Sequence, residues 1–217
     1  MTIAQARLYM RQFARDASDE SSYDLDEIDR AIQAVADDFI HATRCTRTVA
    51  NIAITEAAAA LGSFPSGFLP EMILRAWITG KGDLDIIDHS ELVKLQVQTT
   101  NEDGDELTAT PRYLAFSSLT TGEVHPTPDD DYTLKIQYVA PFTSFTPGQS
   151  TSSTVLNIPD HYLRNILVYG ATALLQHNEE EKRYASTSWR KYENFRDSCI
   201  GAGNLGTQLQ SSEGADL

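Results

Sequence analysis

The segment that decides the fold is residues 25–39, LDEIDRAIQAVADDF. Its large apolar side chains recur every three or four positions, at Leu25, Ile28, Ile32, Val35 and Phe39. That spacing predicts an amphipathic helix, because side chains three and four residues apart lie on one face of a helix. The helix is expected to bury this stripe against other elements of the fold.

Polar residues at the start of this segment are typical of a helix N-terminus. Ser22 or Asp24 can cap the helix, since a short side-chain oxygen accepts a free backbone N–H there. Asp26, Glu27 and Asp29 occupy the first turns, where carboxylates oppose the positive end of the helix dipole. We therefore predict that these acids lie on a solvated face and form neither a metal site nor a catalytic cluster.

Three further segments carry helical periodicity: residues 2–15, a stretch that begins near Pro159, and residues 179–200. Thr2 can cap the first of them, and Asn157 or Asp160 can cap the second. The second also carries small residues around Gly170, which allow another helix to approach closely.

The middle of the chain changes period. Strand-like runs predict strands at residues 47–55, 85–87, 111–116, 123–125 and 132–139, and the apolar run at 68–79 predicts a sixth strand after Pro70. Residues 56–61 suggest a short helical turn, and residues 90–98 fit either a helix or a strand. We expect a mostly antiparallel region, followed at residues 141–154 by a long exposed loop rich in Ser, Thr, Pro and Gly.

The predicted fold class is α+β. It consists of a four-helix bundle, built from two N-terminal and two C-terminal helices, with an inserted antiparallel β region and a flexible C-terminal tail. The predicted boundaries are 1–45 for the N-terminal helices, 46–156 for the β-rich insertion, 157–200 for the C-terminal helices and 201–217 for the tail.

Composition excludes some classes of function. The net charge of −14 and the pI near 4.6 argue against a nucleic-acid-binding module, which needs a basic face. The charge fits either simple solubility or a wall past which DNA slides. No stretch approaches the roughly 18 apolar residues of a membrane span, and the start has no secretory signal, so we expect a cytoplasmic origin. Cys45 and Cys199 are predicted to be reduced, partly buried thiols.

No motif in the chain points to catalysis, a cofactor or a metal. The five histidines lack ligand spacing, and the acids between Asp83 and His89 do not follow the pattern of a calcium loop. The run Asp129–Asp131 leaves an alternative open, a soluble hydrolase or a ligand-binding module that uses these carboxylates. Four aromatic residues are interpreted as core or subunit packing: Trp77, Tyr184, Trp189 and Tyr192.

The order of the segments resembles a known family. The motifs are FLP at 68–70, PRY at 111–113, GEVHPTPD at 122–129, YTLKIQY at 132–138 and IPDHY at 158–162. In this order they resemble the head-to-tail adaptor proteins of tailed bacteriophages, also called head-completion or connector proteins. The resemblance covers residues 24–197.

The resemblance implies a non-enzymatic structural protein of the virion, assembled in the host cytoplasm. It implies a homo-oligomeric ring of about twelve copies that sits beneath the portal protein, contacts a tail or nozzle protein, and lets double-stranded DNA pass through its lumen during ejection, with no membrane partner. Acidic residues of the second helix or of the β turns are expected to line that lumen. The tail is expected to reach the portal or a neighbouring copy through six residues: Gly201, Asn204, Leu205, Gln208, Leu209 and Leu217.

Overall fold

The computed structural model describes residues 1–13, 23–98, 108–143, 145–148, 154–177 and 186–200. Its helices are α1 (Ile3–Phe13), α2 (Leu25–Thr43), α3 (His89–Gln98), α4 (Asp160–Asn165), α5 (Thr172–His177) and α6 (186–200). A π-helical turn, Ile166–Ala171, joins α4 to α5, and a short 3-10 turn covers Pro70–Met72.

The strands are β1 (Arg47–Ile54), β2 (Ile73–Ile78), β3 (Gly82–Asp83), β4 (Asp85–Ile86), β5 (Tyr113–Phe116), β6 (Gly122–His125) and β7 (Tyr132–Val139). The described chain divides into two compact units. The helical unit takes the described residues of Met1–Thr46 and Pro141–Leu217, and the β unit is Arg47–Ala140.

Capping residues start the first two helices, as the sequence predicts. The Thr2 hydroxyl accepts the Gln5 N–H at 3.3 Å while the Gln5 side chain accepts the Thr2 N–H at 2.9 Å. Asp24 and Glu27 form the same reciprocal pair at the start of α2. Each pair satisfies two backbone groups at a helix end and so fixes where the helix begins.

The predicted N-terminal cap of the segment that begins near Pro159, Asn157 or Asp160, is wrong. Pro159 stands at that position without a side-chain hydrogen bond. Asn157 instead binds the Pro141 carbonyl and the Thr143 N–H, and Asp160 accepts a bond from the Met1 amino group. These two side chains therefore join distant segments of the helical unit.

The four-helix bundle predicted from the sequence is also wrong, although the α+β class is confirmed. The segment after Pro159 is not one α-helix, because the π-helical turn separates α4 from α5. The backbone N–H and the hydroxyl of Thr172 both bind the Leu167 carbonyl five residues earlier, which is the wider spacing of a π-helix. A further helix, α3, lies in the β unit, where the strands form two sheets.

The larger sheet has four strands in the order β1-β7-β2-β3, and all its pairs are antiparallel. One face is buried. On this buried face, the strand register places Ile52 and Ile78 on either side of Leu134, and Ala50 and Ala76 on either side of Ile136. On the opposite face the residues of β1 are exposed, Lys135 and Gln137 of β7 are partly exposed, and Val139 at the end of β7 is buried. Most residues of these two strands therefore alternate between the core and the surface, as in a half-buried antiparallel sheet.

The smaller sheet has three strands in the order β4-β5-β6. Its β5–β6 pair is antiparallel but its β4–β5 pair is parallel, which departs from the prediction. The six predicted strand positions are confirmed with shifted ends, and residues 90–98 are helical. Residues 56–61 do not form the predicted helical turn.

The loop after β7 is less exposed than the sequence predicts. Phe142 is buried, the Phe145 carbonyl accepts a bond from Gln33, and the Gly148 N–H donates to Asp29. The described part of this loop is therefore held against α2.

Candidate interaction surfaces

The six tail residues predicted to contact the portal or a neighbour lie outside the described residues: Gly201, Asn204, Leu205, Gln208, Leu209 and Leu217. The same holds for Tyr184.

The acidic run at 129–131 forms an exposed turn before β7. Each carboxylate accepts a hydrogen bond from a nearby residue. Asp129 accepts one from the Tyr132 hydroxyl, Asp130 from the Asp131 N–H, and Asp131 from the Glu56 N–H. The hydrogen bond to Asp129 raises the pKa of Tyr132. Because the three side chains point at different partners, they do not converge as a pair of catalytic carboxylates must.

The acids between Asp83 and His89 also act in local structure. Asp83 pairs with Arg75 at 2.8 Å, and Asp88 accepts the Ser90 N–H at 2.8 Å at the start of α3. The bonds from Ser90 lower the pKa of Asp88. Across the described residues, no group of His, Cys, Asp and Glu side chains could hold a metal ion.

The prediction that Asp29 lies on a solvated face is wrong. The Asp29 side chain is fully buried and forms a bidentate ion pair with Arg7. The Nε and Nη2 atoms of Arg7 lie 2.7 Å and 2.6 Å from the two carboxylate oxygens. The Gly148 N–H is a third donor, at 2.8 Å. Asp29 thus holds α1, α2 and the loop after β7 together. Asp26, by contrast, is partly exposed and pairs with Arg30 one turn later.

Tyr192 is the centre of the packing between α2 and α6. Its ring is fully buried and its hydroxyl donates to Asp38, which also accepts Arg196 at 2.9 Å. Burial first, and then the bond to Asp38, raise the pKa of Tyr192. The core role predicted for Tyr192 is confirmed, and Trp189 packs on it with ring centroids 5.1 Å apart.

Gly170 leaves room for this arrangement. A Cβ at Gly170 would stand 2.5 Å from Val35 Cγ1 and 2.9 Å from the Tyr192 ring. The sequence predicted the close approach of another helix backbone at this small residue, whereas the groups nearest to Gly170 are side chains of α2 and α6.

The outer side of α1 carries apolar side chains that the described part of the helical unit leaves exposed. Leu8 is 61% exposed and Phe13 is 44% exposed, with Tyr9 packed on Phe13. A cavity of about 290 Å³ opens beside them, lined by α1, the Met1 residue, Asp160 and Arg164. Exposed apolar surface next to an open cavity is typical of a contact with another protein.

Comparison with known proteins assigns the chain to a family. The model of the SU10 adaptor protein family matches residues 1–205. The chain belongs to the SU10 adaptor family. A search of curated proteins found no match.

Membership of the SU10 adaptor family makes the chain a structural adaptor and a component of a phage virion, with other phage head or tail proteins as its partners.

Cys45 and Cys199 are half-buried free thiols, as predicted, and burial raises the pKa of both. Among the helices that the structure describes, none has the length and apolar character to cross a membrane.

Sequence reasoning missed the Arg7–Asp29 pair. Arg7 stands between Ala6 and Met10 on the inward stripe of α1, and Asp29 adjoins the stripe of α2 at Ile28. Buried charges are almost always paired. Opposite charges on the inward faces of successive helices were therefore the signal that could have revealed the contact.

Proposed function

We propose that this chain is a head-to-tail adaptor that forms a ring beneath the portal, joins the capsid to the tail and surrounds the path of the exiting DNA. The observation that carries the proposal is the family match over residues 1–205, since it spans the described parts of both units. The exposed apolar side of α1 supports it, because a ring copy needs surfaces that its own fold leaves open.

The ring requires each copy to contact its neighbours through two different surfaces that close by rotation. Mass measured by light scattering, for the purified chain alone and mixed with its cognate portal, tests this requirement. A large complex of fixed stoichiometry, about twelve copies on one portal ring, is the expected result. A chain that stays monomeric beside the portal would contradict the proposal.

The C-terminal tail is proposed to bind the portal or a neighbouring copy once the ring forms. A long polar segment can order on a partner and contact a large surface there. Truncation after Ile200 is expected to weaken portal binding by tenfold or more, since about 1.4 kcal/mol of contact suffices for that change. The matched control replaces only Gln210 and Ser211 with alanine, which keeps the length and the leucines of the tail. Unchanged portal binding by the truncated chain would refute the role of the tail.

Exposed carboxylates of α2 are proposed to line the lumen, where negative charge repels the DNA duplex and keeps it from adhering. Glu27 and Asp37 are exposed, whereas Asp29 is buried and unavailable. A three-dimensional reconstruction of the portal complex tests this placement, and a neutral or basic lumen would contradict it.

A further inference from the structure

We propose that the exposed face of the four-stranded sheet is a docking surface for a second copy of this chain, which presents its acidic turn at residues 129–131. The inference rests on the proposed function, because a ring copy must offer two different complementary surfaces to its neighbours. It goes further by naming those two surfaces in the β unit.

The strand register defines the docking face. Asn51 and Trp77 lie on either side of Lys135, and Val49 and Arg75 lie on either side of Gln137. Residues directly opposite each other in neighbouring strands point to the same face. All six are therefore on the side opposite the buried Leu134 and Ile136.

The chemistry of this face fits a protein surface. Arg75 lies over the Trp77 ring at 5.2 Å from its centroid, and Val49 is 48% exposed. Arginine and tryptophan are the residue types that most often dominate the energy of an interface. Trp77 is only partly buried and does not lie in the core. Of the two roles that the sequence suggested for it, core packing and subunit packing, the geometry therefore favours subunit packing.

The charge of the face is opposite to that of the chain. It carries the cations Arg47, Arg75 and Lys135 and a single described carboxylate, Asp83, which is paired with Arg75. The whole chain has a net charge of −14. A local basic face on a strongly acidic protein favours an acidic partner.

The acidic turn has the matching properties. Asp129, Asp130 and Asp131 are exposed, and the turn is held in place by hydrogen bonds to Tyr132 and Glu56. A pre-ordered segment loses little conformational freedom when it binds, which favours it as a contact.

A copy cannot satisfy its own docking face with this turn. Asp131 precedes Lys135 by four positions, and β7 starts at Tyr132. An extended strand rises about 3.3 Å per residue, so roughly 13 Å separates the two backbones. The turn and the face of one copy therefore remain available to two different neighbours, as a head-to-tail ring requires.

The edge of the sheet extends the same surface. β1 is the end strand in the order β1-β7-β2-β3, and it is eight residues long. An edge strand of that length presents backbone N–H and C=O groups that another chain can bind.

DNA is a weaker candidate ligand for the docking face than a second copy, since three cations give few phosphate contacts and the rest of the chain repels the duplex.

Reversal of charge on each surface tests the proposal. Lys135→Glu gives copies in which face and turn are both acidic, and Asp130→Lys gives copies in which both are more basic. Each variant alone is expected to assemble with the portal about tenfold more weakly than wild type, because like charges then meet at the contact. An equal mixture of the two variants is expected to assemble as wild type does, because every contact again joins opposite charges.

The controls separate this contact from folding and from other partners. Lys94→Glu makes the same charge change on an exposed position of α3, away from the docking face, and is expected to assemble normally. Circular dichroism and the unfolding midpoint of each variant check the fold. Fluorescence anisotropy with a short DNA duplex measures the competing occupant.

The outcomes are distinct. Defective single variants and a restored mixture support the docking surface. Single variants that assemble normally, a mixture that stays defective, or a loss of DNA binding without a loss of assembly would each overturn it while leaving the adaptor function standing. A wild-type chain that stays monomeric with and without the portal would instead remove the proposed function, and the docking surface with it.

Discussion

Replacing Asp29 with asparagine tests whether a buried ion pair holds the helical unit together. The substitution keeps the size of the side chain and removes its charge. Arg7 would then face an amide in place of the carboxylate whose oxygens lie 2.6 Å and 2.7 Å from its nitrogens. The Arg7 side chain is only 8% exposed, so water has little access to replace the lost carboxylate.

The expected loss of stability follows from that burial. Breaking a buried ion pair by removing one partner costs about 3–5 kcal/mol, because the remaining charge stays desolvated. With a urea dependence of about 2 kcal/mol per molar, the unfolding midpoint should fall by roughly 2 M. The bond from Gly148 adds to the loss, since an amide oxygen is a weaker acceptor than a carboxylate.

Urea unfolding followed by circular dichroism and by tryptophan fluorescence measures this loss. Asp26→Asn is the matched control, because it makes the same change in the first turn of the same helix. Asp26 pairs with Arg30, which is 72% exposed, and such a pair on a helix surface contributes about 0.5 kcal/mol or less.

Two results would refute the reasoning. A midpoint for Asp29→Asn within error of the control would mean that the buried charges are not the source of stability. A double variant, Arg7→Met with Asp29→Leu, gives the second check, because apolar replacement of both partners is expected to restore most of the loss. A double variant less stable than Asp29→Asn would show that shape and hydrogen bonding at this site matter more than the loss of the Asp29 charge.

Two further predictions concern local packing and pH. Gly170→Ala is expected to lower the stability of the helical unit by about 2 kcal/mol, because the added methyl group overlaps Val35. Thermal unfolding measures this loss. Gly62→Ala is the control, because a methyl group at Gly62 meets nothing within 4 Å. A loss that Val35→Ala does not reduce in the same chain would contradict the packing argument. The pKa of Asp88 is lowered in the folded chain, so its support of α3 is present above the unfolded value of about 3.9 and is lost as the pH falls through the folded value. The protection factor of the Ser90 amide, which compares its exchange rate with the intrinsic rate at the same pH, is expected to fall below that pH in wild type but to change less in Asp88→Asn, and an equal fall in both would refute the cap.

Local features of the fold could be predicted from the sequence because each has a local cause. The stripe of α2 follows from apolar spacing, and its start follows from the side chains of Asp24 and Glu27. Strands β1 and β7 of the large sheet follow from the alternation of their residues. Asp29 could not be placed in the same way, because a carboxylate in a first turn has the same pattern whether it faces water or a buried arginine.

The arrangement of the elements could not be predicted, for reasons that differ between the two units. Apolar spacing gives the buried face of a helix but not its partner, and a π-helical turn such as Ile166–Ala171 adds a residue without removing that face. The parallel pairing of β4 with β5 depends on α3, since parallel neighbours need a long crossover. Leaving residues 90–98 open between helix and strand therefore left the direction of β5 open as well.

The local distribution of charge on the proposed docking face could not be predicted from the sequence either. A net charge of −14 describes the whole chain, and by itself it fits either simple solubility or a wall past which DNA slides. The register of the large sheet places Arg75 and Lys135 on one exposed face, although they stand far apart in the sequence. Attraction between copies depends on such local surfaces, because charges beyond about 10 Å are screened by salt. In the proposed ring, identical acidic copies bind one another where a basic face meets an acidic turn, and their remaining carboxylates keep the proposed DNA path repulsive.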